Sequence, residues 1–198
     1  MVRSHLRVGV LALQGDVREH AGVLTALGAE AIPVRRPEQL AGLDALVLPG
    51  GESSVIDKLS RIFGLREPIR AAIATGLPVY GTCAGLILLA DEVEGAITGQ
   101  RTFGGIDVTV ARNAFGGQVE SFETRLVVEG IEGEVEATFI RAPLITRVGD
   151  RAKAIATLPG GGVVGVAQGS LLGTSFHPEM NGEVRLHERL LELARARV

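Results

Sequence analysis

The chain has 198 residues, of which 46% are hydrophobic and 22% are charged, so we expect residues 1–198 to form one well-packed domain. A formal net charge of −3 and an aromatic content of 4% provide neither a basic face nor stacking platforms, which argues against nucleic acid as a partner. No apolar run approaches the roughly 18 residues of a membrane span, and a single cysteine forbids an internal disulfide. We therefore expect a cytoplasmic protein that does not contact membranes.

The first half of the chain alternates strands with helices. Residues 6–13 form a nearly continuous apolar run, typical of a strand buried on both faces, and residues 16–27 follow as a helix. Further strands are predicted at residues 30–34, 45–48 and 78–81, and further helices at residues 53–63 and 66–75. This alternation predicts an α/β fold with a mainly parallel central sheet flanked by helices.

The second half is richer in β-branched residues, and its helical periodicity is faint until the end. Strands are predicted at residues 106–111, 124–128, 137–140, 152–157, 163–167 and 171–175. Glycine turns at residues 116–117 and 160–162 separate several of them, which indicates antiparallel strands added to the parallel sheet or folded over it. A last helix is predicted over residues 182–196, with Asn181 as its N-terminal cap.

The only cysteine, Cys83, lies where a strand is predicted to turn sharply into a helix. Gly81 and Gly85 flank it, as expected of a nucleophile elbow, whose tight backbone requires small neighbours. A thiol at a helix N-terminus lies near free N–H groups that favour the thiolate and can stabilise an oxyanion. Taken alone, Cys83 is also consistent with a small buried apolar residue.

A nucleophilic cysteine needs a base, and one of the four histidines follows a predicted strand into a loop. That histidine is His177, and Glu179 lies two residues further on, where its carboxylate can orient the imidazole. His5 lies near the N-terminus, and His20 and His187 lie in helical patterns. The residues alone leave an alternative open, in which His177 caps a turn and Glu179 is a solvated carboxylate.

Two motifs together resemble the class I, triad-type glutamine amidotransferases; they are Gly81-Thr82-Cys83-Ala84-Gly85 and Ser175-Phe176-His177-Pro178-Glu179. Within that superfamily the chain is similar to the glutaminase subunits of pyridoxal 5′-phosphate synthase. The matching segments are residues 13–20, 36–40, 48–54, 112–116 and 139–143. The resemblance covers almost the whole chain and implies an α/β sheet with added β structure.

The resemblance implies hydrolysis of L-glutamine to L-glutamate and ammonia, with the ammonia passing to a separate synthase subunit in a hetero-oligomer. That subunit builds pyridoxal 5′-phosphate from a pentose phosphate and a triose phosphate. Cys83 would carry a γ-glutamyl thioester, and His177 would protonate the ammonia and then activate water. Neither a metal nor an organic cofactor is implied.

Two other interpretations stay open. One keeps the fold and the nucleophile but makes the protein a cysteine peptidase or a glutaminase that serves another synthase. The other is a binding module whose relic thiol acts only as a sensor. The complete set of Cys83, His177 and Glu179 argues against the second, because a relic need not retain all three.

The resemblance also assigns residues that hold the substrate. It implies that the backbone N–H groups of Gly51 and Ala84 form the oxyanion hole. The implied glutamine contacts are Gly51, Glu52, Ser53, Arg112, Ile140 and Arg141. A cation is needed for the substrate's α-carboxylate, which Arg112 or Arg141 can supply, although an isolated arginine is more often a solvated surface charge.

Gln14 and Gly15 follow the first predicted strand, where open parallel sheets usually bind ligands. By the resemblance, this segment faces the synthase partner and helps to switch on the oxyanion hole, and Arg18 is a candidate docking residue. We therefore expect the isolated chain to be a poor glutaminase. Three departures from the family's pattern are expected not to touch the chemistry: Asp16, Ser54 and Ala114.

Overall fold

The computed structural model of the protein describes residues 5–112 and 121–197. Its strands are β1 (Arg7–Leu11), β2 (Glu30–Val34), β3 (Ala45–Leu48), β4 (Val79–Thr82), β5 (Ala90–Glu94), β6 (Ile106–Ala111), β7 (Ser121–Val127), β8 (Glu134–Ile140), β9 (Leu144–Val148), β10 (Lys153–Thr157), β11 (Val163–Gln168) and β12 (Leu171–Thr174). Its helices are α1 (Val17–Ala26), α2 (Ser53–Ile62), α3 (Arg66–Ala74), α4 (Ala84–Leu89) and α5 (Arg185–Arg197). Short 3₁₀ turns cover Pro37–Leu40 and Pro178–Met180.

Ten of the described strands form one mixed sheet, in the order β2-β1-β3-β4-β12-β11-β9-β6-β5, with β10 paired to β11. The run from β2 to β12 is parallel, and β11, β9 and β6 continue it in antiparallel pairs. β7 and β8 form a separate antiparallel hairpin. The predicted α/β fold, with a parallel half and added antiparallel strands, is confirmed.

Alternation along the central strands divides the core into two layers. In β3, Leu46 and Leu48 face a cluster that includes Ile56 and Ile69 of α2 and α3. Ala45 and Val47 face the opposite cluster, which holds side chains of α1, α5 and the β7–β8 hairpin. Both faces of β3 are therefore covered, which explains why this central strand is apolar throughout.

The structure contains every predicted strand and helix, with some boundaries shifted, and adds two strands that were not predicted. The strands at 30–34, 45–48 and 106–111 have the predicted bounds, and α2 and α3 end one residue early. The glycines at 160–162 connect β10 to β11, as predicted for a hairpin tip. β5 and β9 were not predicted. The predicted turn at 116–117 and the family segment at 113–116 lie outside the described residues.

The predicted cap of the last helix is wrong. α5 begins at Arg185, three residues later than predicted, and Asn181 instead ends the preceding 3₁₀ turn. The Asn181 side chain accepts a hydrogen bond from Thr138 Oγ1 at 2.7 Å. Asn181 therefore ties the segment after β12 to β8 rather than starting a helix.

Parallel pairing brings several strand ends to one edge of the sheet. Leu48 of β3 pairs with Gly81 of β4, and Thr174 of β12 pairs with Thr82 of β4. The residues that follow these strands therefore meet at the carboxyl edge, where open α/β sheets bind ligands.

Candidate active site

Cys83 forms a sharp turn between β4 and α4. Its backbone has φ 48° and ψ −100°, a left-handed conformation that is unusual for a residue other than glycine, and its side chain is 8% exposed. A Cβ atom on Gly81 would lie 2.5 Å from the Gly85 carbonyl carbon, and one on Gly85 would lie 2.0 Å from the Leu48 oxygen. The turn therefore needs both glycines, as the sequence indicated.

His177 lies next to Cys83 because β12 pairs with β4. The Cys83 N–H donates to the Thr174 oxygen at 2.8 Å, and the His177 N–H donates to the Thr138 oxygen at 2.9 Å. The imidazole forms a hydrogen bond with Glu179, from Nδ1 to Oε1 at 2.9 Å, and it lines the same cavity as Cys83, which helps to raise the pKa of His177. The structure thus brings the three predicted catalytic residues together in the order of a triad.

Burial and hydrogen bonds shift the pKa of His177 in opposite directions. Burial lowers its pKa, but hydrogen bonds with Asp16, Cys83 and Glu179 outweigh burial and raise the pKa to about 12. Burial likewise tends to raise the pKa of Glu179, yet hydrogen bonds with His177 and His20 hold it well below the usual range. Glu179 is 6% exposed, so it is a buried ionised partner of the imidazole and not a solvated carboxylate.

A cavity of about 420 Å³ opens in front of the thiol. Its lining includes Cys83, His177 and every residue that the sequence predicted to contact glutamine, namely Gly51, Glu52, Ser53, Arg112, Ile140 and Arg141. Gln14, Asp16 and Ile87 complete the lining. Cavities of this size accept small molecules, and this one combines polar groups with the reactive thiol.

Arg112 is fixed in the cavity wall by two acceptors. Its Nη2 donates to Glu52 Oε1 at 2.8 Å, and its Nη1 donates to Gln100 Oε1 at 2.8 Å. Gln100 in turn donates from Nε2 to Ser53 Oγ at 3.0 Å. Sequence reasoning missed Gln100, because it lies in a loop with no motif and contacts the site only through Arg112 and Ser53.

The segment after β1 packs directly on the glycine turn after β3. Gln14 Oε1 accepts a hydrogen bond from the Glu52 N–H at 2.7 Å. A Cβ atom on Gly15, which has φ 101°, would lie 1.7 Å from the Gly50 oxygen, and one on Gly51 would lie 2.4 Å from Gln14 Oε1. Gln14 therefore contacts the glycine turn directly, through the N–H of the peptide that joins Gly51 to Glu52.

The remaining predicted site residues are Ala84 and Arg18. Ala84 is the first residue of α4, where the backbone N–H has no intrahelical acceptor. Arg18 is exposed on α1, two residues beyond Asp16. Neither residue is part of the cavity lining.

The expectation that Asp16 does not touch the chemistry needs correction. Its Oδ2 lies 3.4 Å from His177 Nδ1, and the hydrogen bond between them contributes to the raised pKa of His177. The position of Asp16 directly after Gln14 and Gly15 was the available signal, because that segment was already predicted to face the site.

Asp16, His177 and Glu179 offer three donor atoms within 4.8 Å of one another, a spacing that can also hold a metal ion. Two of those atoms already share the 2.9 Å hydrogen bond between His177 and Glu179. We therefore attribute the cluster to orientation of the imidazole.

Among the described residues, no helix is long and apolar enough to cross a membrane.

Comparison with known proteins gives the same picture as the geometry. Residues 10–195 match the SNO glutamine amidotransferase family. A pyridoxal 5′-phosphate synthase subunit PdxT from Leifsonia xyli subsp. xyli (strain CTCB07) is 60% identical over 193 residues, which cover 97% of this chain and 98% of the relative. Another from Streptomyces coelicolor is 55% identical over 190 residues, which cover 96% and 94%.

Solved structures support the assignment. A crystal structure described as a glutamine amidotransferase has a TM-score of 0.89 and 49% sequence identity, covering 94% of this chain and 98% of that chain. The structure of PurLQS from Thermotoga maritima is 16% identical, with a TM-score of 0.70 and coverage of 96% and 99%, and shares the fold. The chain belongs to the SNO glutamine amidotransferase family.

Proposed function

We propose that this chain is the glutaminase subunit of a pyridoxal 5′-phosphate synthase and hydrolyses L-glutamine to L-glutamate and ammonia. The observation that carries the proposal is that Cys83 and His177, with His177 hydrogen-bonded to Glu179, line one cavity together with Arg112 and Arg141. The PdxT relatives, which are named as subunits of that synthase, support the choice among glutamine amidotransferases.

The reaction proceeds in two halves. The Cys83 thiolate attacks the side-chain carboxamide carbon of glutamine, and the tetrahedral intermediate collapses when the His177 imidazolium gives its proton to the departing nitrogen. Ammonia leaves, and a γ-glutamyl thioester remains on the sulfur. The neutral imidazole then takes a proton from water as the oxygen attacks the thioester, which releases glutamate and restores the thiolate and the imidazolium.

Glu179 and Asp16 support these proton transfers from the Nδ1 side of the imidazole. A carboxylate there holds the ring with its other nitrogen towards the sulfur and stabilises the imidazolium. The N–H groups of Gly51 and Ala84 are assigned to the oxyanion of both tetrahedral intermediates.

The α-carboxylate of glutamine is assigned to the arginines of the cavity, with Glu52 and Ser53 taking part at the other polar groups of the substrate. Glu52 and Gln100 hold the Arg112 guanidinium in the cavity wall, where it is available to the substrate. Ile140 supplies an apolar wall beside these polar groups.

Assembly and location follow from the same proposal. Residues 1–198 act as one glutaminase domain, because strands from both halves of the chain build the sheet and the site. The chain passes its ammonia to a synthase subunit in a hetero-oligomer, and Gln14, Gly15 and Arg18 face that partner. A cytoplasmic location suits a nucleophile that must remain a free thiol.

The test is ammonia release from L-glutamine with and without the synthase subunit. We expect slow release by the chain alone, a strong increase with the partner, and no release by Cys83→Ala, which should still bind glutamine and the partner. Cys83→Ala removes only one sulfur atom from the site, so retained turnover would show that the nucleophile is wrong. Stimulation by a different synthase instead would favour the alternative glutaminase role.

A further inference from the structure

Two histidines outside the proposed triad are buried directly behind it. His20 on α1 and His187 on α5 are both 0% exposed, and Nδ1 of His20 lies 2.8 Å from Nε2 of His187. On its other side, Nε2 of His20 lies 3.1 Å from Thr82 Oγ1 and 3.4 Å from Glu179 Oε1. The imidazole of His20 therefore links His187 to the carboxylate of Glu179.

Glu179 has few polar neighbours, and they converge on one oxygen. Oε1 lies 2.9 Å from Nδ1 of His177 and 3.4 Å from Nε2 of His20, whereas Oε2 has no hydrogen-bond partner in the described part of the chain. The side chain of Glu179 is 0% exposed, so it is shielded from bulk water. A buried carboxylate needs such neighbours to remain ionised.

His187 determines which nitrogen of His20 carries a proton. Burial, followed by the nearby His20, lowers the pKa of His187 to about 3, so this ring is neutral and has one N–H group. If that proton is on Nε2, it is donated to Nδ1 of His20, which is then a bare acceptor, so the ring proton of His20 lies on Nε2 and faces Glu179 and Thr82.

The opposite assignment is less favourable. It leaves a buried Nδ1–H on His187, and within the described residues that nitrogen has no hydrogen-bond partner. With the proton of His20 on Nδ1, it also turns the Nε2 lone pair towards the Oε1 of a carboxylate, so that two acceptors face each other. The hydrogen-bond pattern therefore favours the proton on Nε2 of His20.

We propose that His20, held in this tautomer by His187, is a positioning residue that aims the Glu179 carboxylate at His177 and keeps it ionised. The inference rests on the proposed triad and extends it by two residues. The titratable groups that face Glu179 are His177, His20, His187 and Tyr80, and Asp16 and Cys83 lie beyond them against His177.

The test is the pH profile of Cys83 alkylation by iodoacetamide in the full chain, which reports the thiolate that the imidazolium stabilises. His20→Leu removes the donor to Glu179, so protonation of the carboxylate begins at a higher pH. The acid limb of the alkylation profile should move up by about one pH unit. His20→Gln places an amide Nε2–H near the position of the imidazole Nε2–H and should restore the wild-type profile.

Leu24→Ala is the matched control. Leu24 lies one helical turn after His20 on α1 and is also fully buried, but it packs in the apolar core. It should lower the melting temperature without moving the pH profile. An unshifted profile in folded His20→Leu, or an equal shift in Leu24→Ala, would overturn the proposal.

A second measurement uses the wild-type chain and does not depend on whether His20→Leu folds. With four histidines in the chain, ¹⁵N NMR at neutral pH can assign their tautomers, and His20→Gln identifies the signals of His20. We expect a proton on Nε2 of His20 and a bare Nδ1; a proton on Nδ1 would refute the role of His187. Neither measurement needs glutamine turnover, so absent ammonia release would contradict only the proposed function.

Discussion

At the residue scale, the protonation state of the His177 imidazole determines both the resting state of the site and the proton transfers that it can make. Hydrogen bonds with Asp16, Cys83 and Glu179 overcome the effect of burial and raise the pKa of His177, so the resting ring is an imidazolium. In the proposed reaction, that ion is the acid that protonates the departing ammonia, and the imidazole left behind is the base that activates water. One ring therefore serves both halves of the reaction without an outside proton source.

The raised pKa of His177 predicts a pH-dependent stability, which is measurable in Cys83→Ala because Asp16 and Glu179 still raise the pKa of His177 when the thiol is absent. The folded ring keeps a proton that the unfolded ring releases above its pKa of about 6.5, so the contribution is complete below that pH and declines as pH rises. Urea unfolding should show a decline of at most about 1.4 kcal/mol per pH unit between pH 6.5 and 9.

The control for this stability measurement is His177→Gln in the same Cys83→Ala background. It removes the titrating ring but retains a polar side chain, and all other ionisable groups stay the same. The decline with pH should become shallower by the amount that His177 contributes. Parallel curves for the two proteins would contradict the raised pKa.

Substitution of Arg112 should weaken glutamine binding more than it slows the chemical step. Arg112→Gln removes a charge-assisted contact worth about 1.5–3 kcal/mol, so KM for glutamine should rise about 10- to 100-fold while kcat in the presence of the partner changes less. Gln100→Leu, which loosens Arg112 but leaves its charge, should raise KM less. Equal losses in kcat for both variants would place Arg112 in the chemical step instead.

The sequence identified the residues that stand in recognisable motifs, but not the residues that support them through tertiary contacts. Cys83 and His177 stand at strand ends with small or rigid neighbours, so their positions were predictable. His20 and Gln100 were not, because a buried polar contact between distant segments leaves no periodicity in the sequence. His20 has the spacing of a core residue on α1, and only the packing of α1 and α5 on the same face reveals its contact with Glu179.

At the element scale, the β4–α4 turn is held by close backbone contact rather than by side chains. Gly85→Ala would place a Cβ 2.0 Å from the rigid Leu48 carbonyl oxygen, so α4 must move away from β3. We expect a loss of about 1–3 kcal/mol in the free energy of unfolding, together with loss of ammonia release as Cys83 shifts.

Gly22→Ala is the matched substitution in a helix. Gly22 lies in α1, and a Cβ there meets nothing within 4 Å. Its free energy of unfolding should rise by about 0.5–1 kcal/mol, because alanine loses less backbone entropy in a helix. Chemical denaturation of both variants checks the pair, and equal destabilisation would contradict the close contact at Gly85.

Element boundaries show where local sequence signals are insufficient. β5 starts directly after α4 and carries exposed acidic residues, so it lacks the apolar alternation that marks a strand. β9 is short, and its place between β11 and β6 is set by pairing with distant partners. The start of α5 was misplaced because Asn181 bonds to Thr138 of β8, a tertiary contact that overrides its preference for a helix cap.

At the scale of the whole molecule, the site depends on strands that are far apart in sequence and adjacent in the sheet. The β1 end supplies Gln14, the β3 end supplies Gly51, the β4 end supplies Cys83, and the β12 end supplies His177. The hairpin of β7 and β8 supplies Ile140 to the cavity lining. A structural change in the exposed segment after β1 can therefore affect Cys83 and His177 through the cavity residues that lie between them.

Partner activation should depend on Gln14 for this reason. Gln14 is exposed, yet its Oε1 holds the Glu52 N–H at 2.7 Å and lies against Gly51. In Gln14→Ala the partner can still dock, but its contact no longer reaches the Gly51 peptide. We expect the fold-stimulation of ammonia release at saturating partner to drop about tenfold, equivalent to about 1.4 kcal/mol of coupling.

Arg18→Ala separates docking from activation. Arg18 is exposed on α1 outside the cavity lining, so its loss should weaken partner binding while stimulation at saturating partner stays near the wild-type value. Titration of each variant with the synthase subunit gives both quantities, the half-saturating concentration and the maximal rate. If Gln14→Ala changed only the former, Gln14 would be a docking residue, and the contact between Gln14 and the glycine turn would not transmit activation.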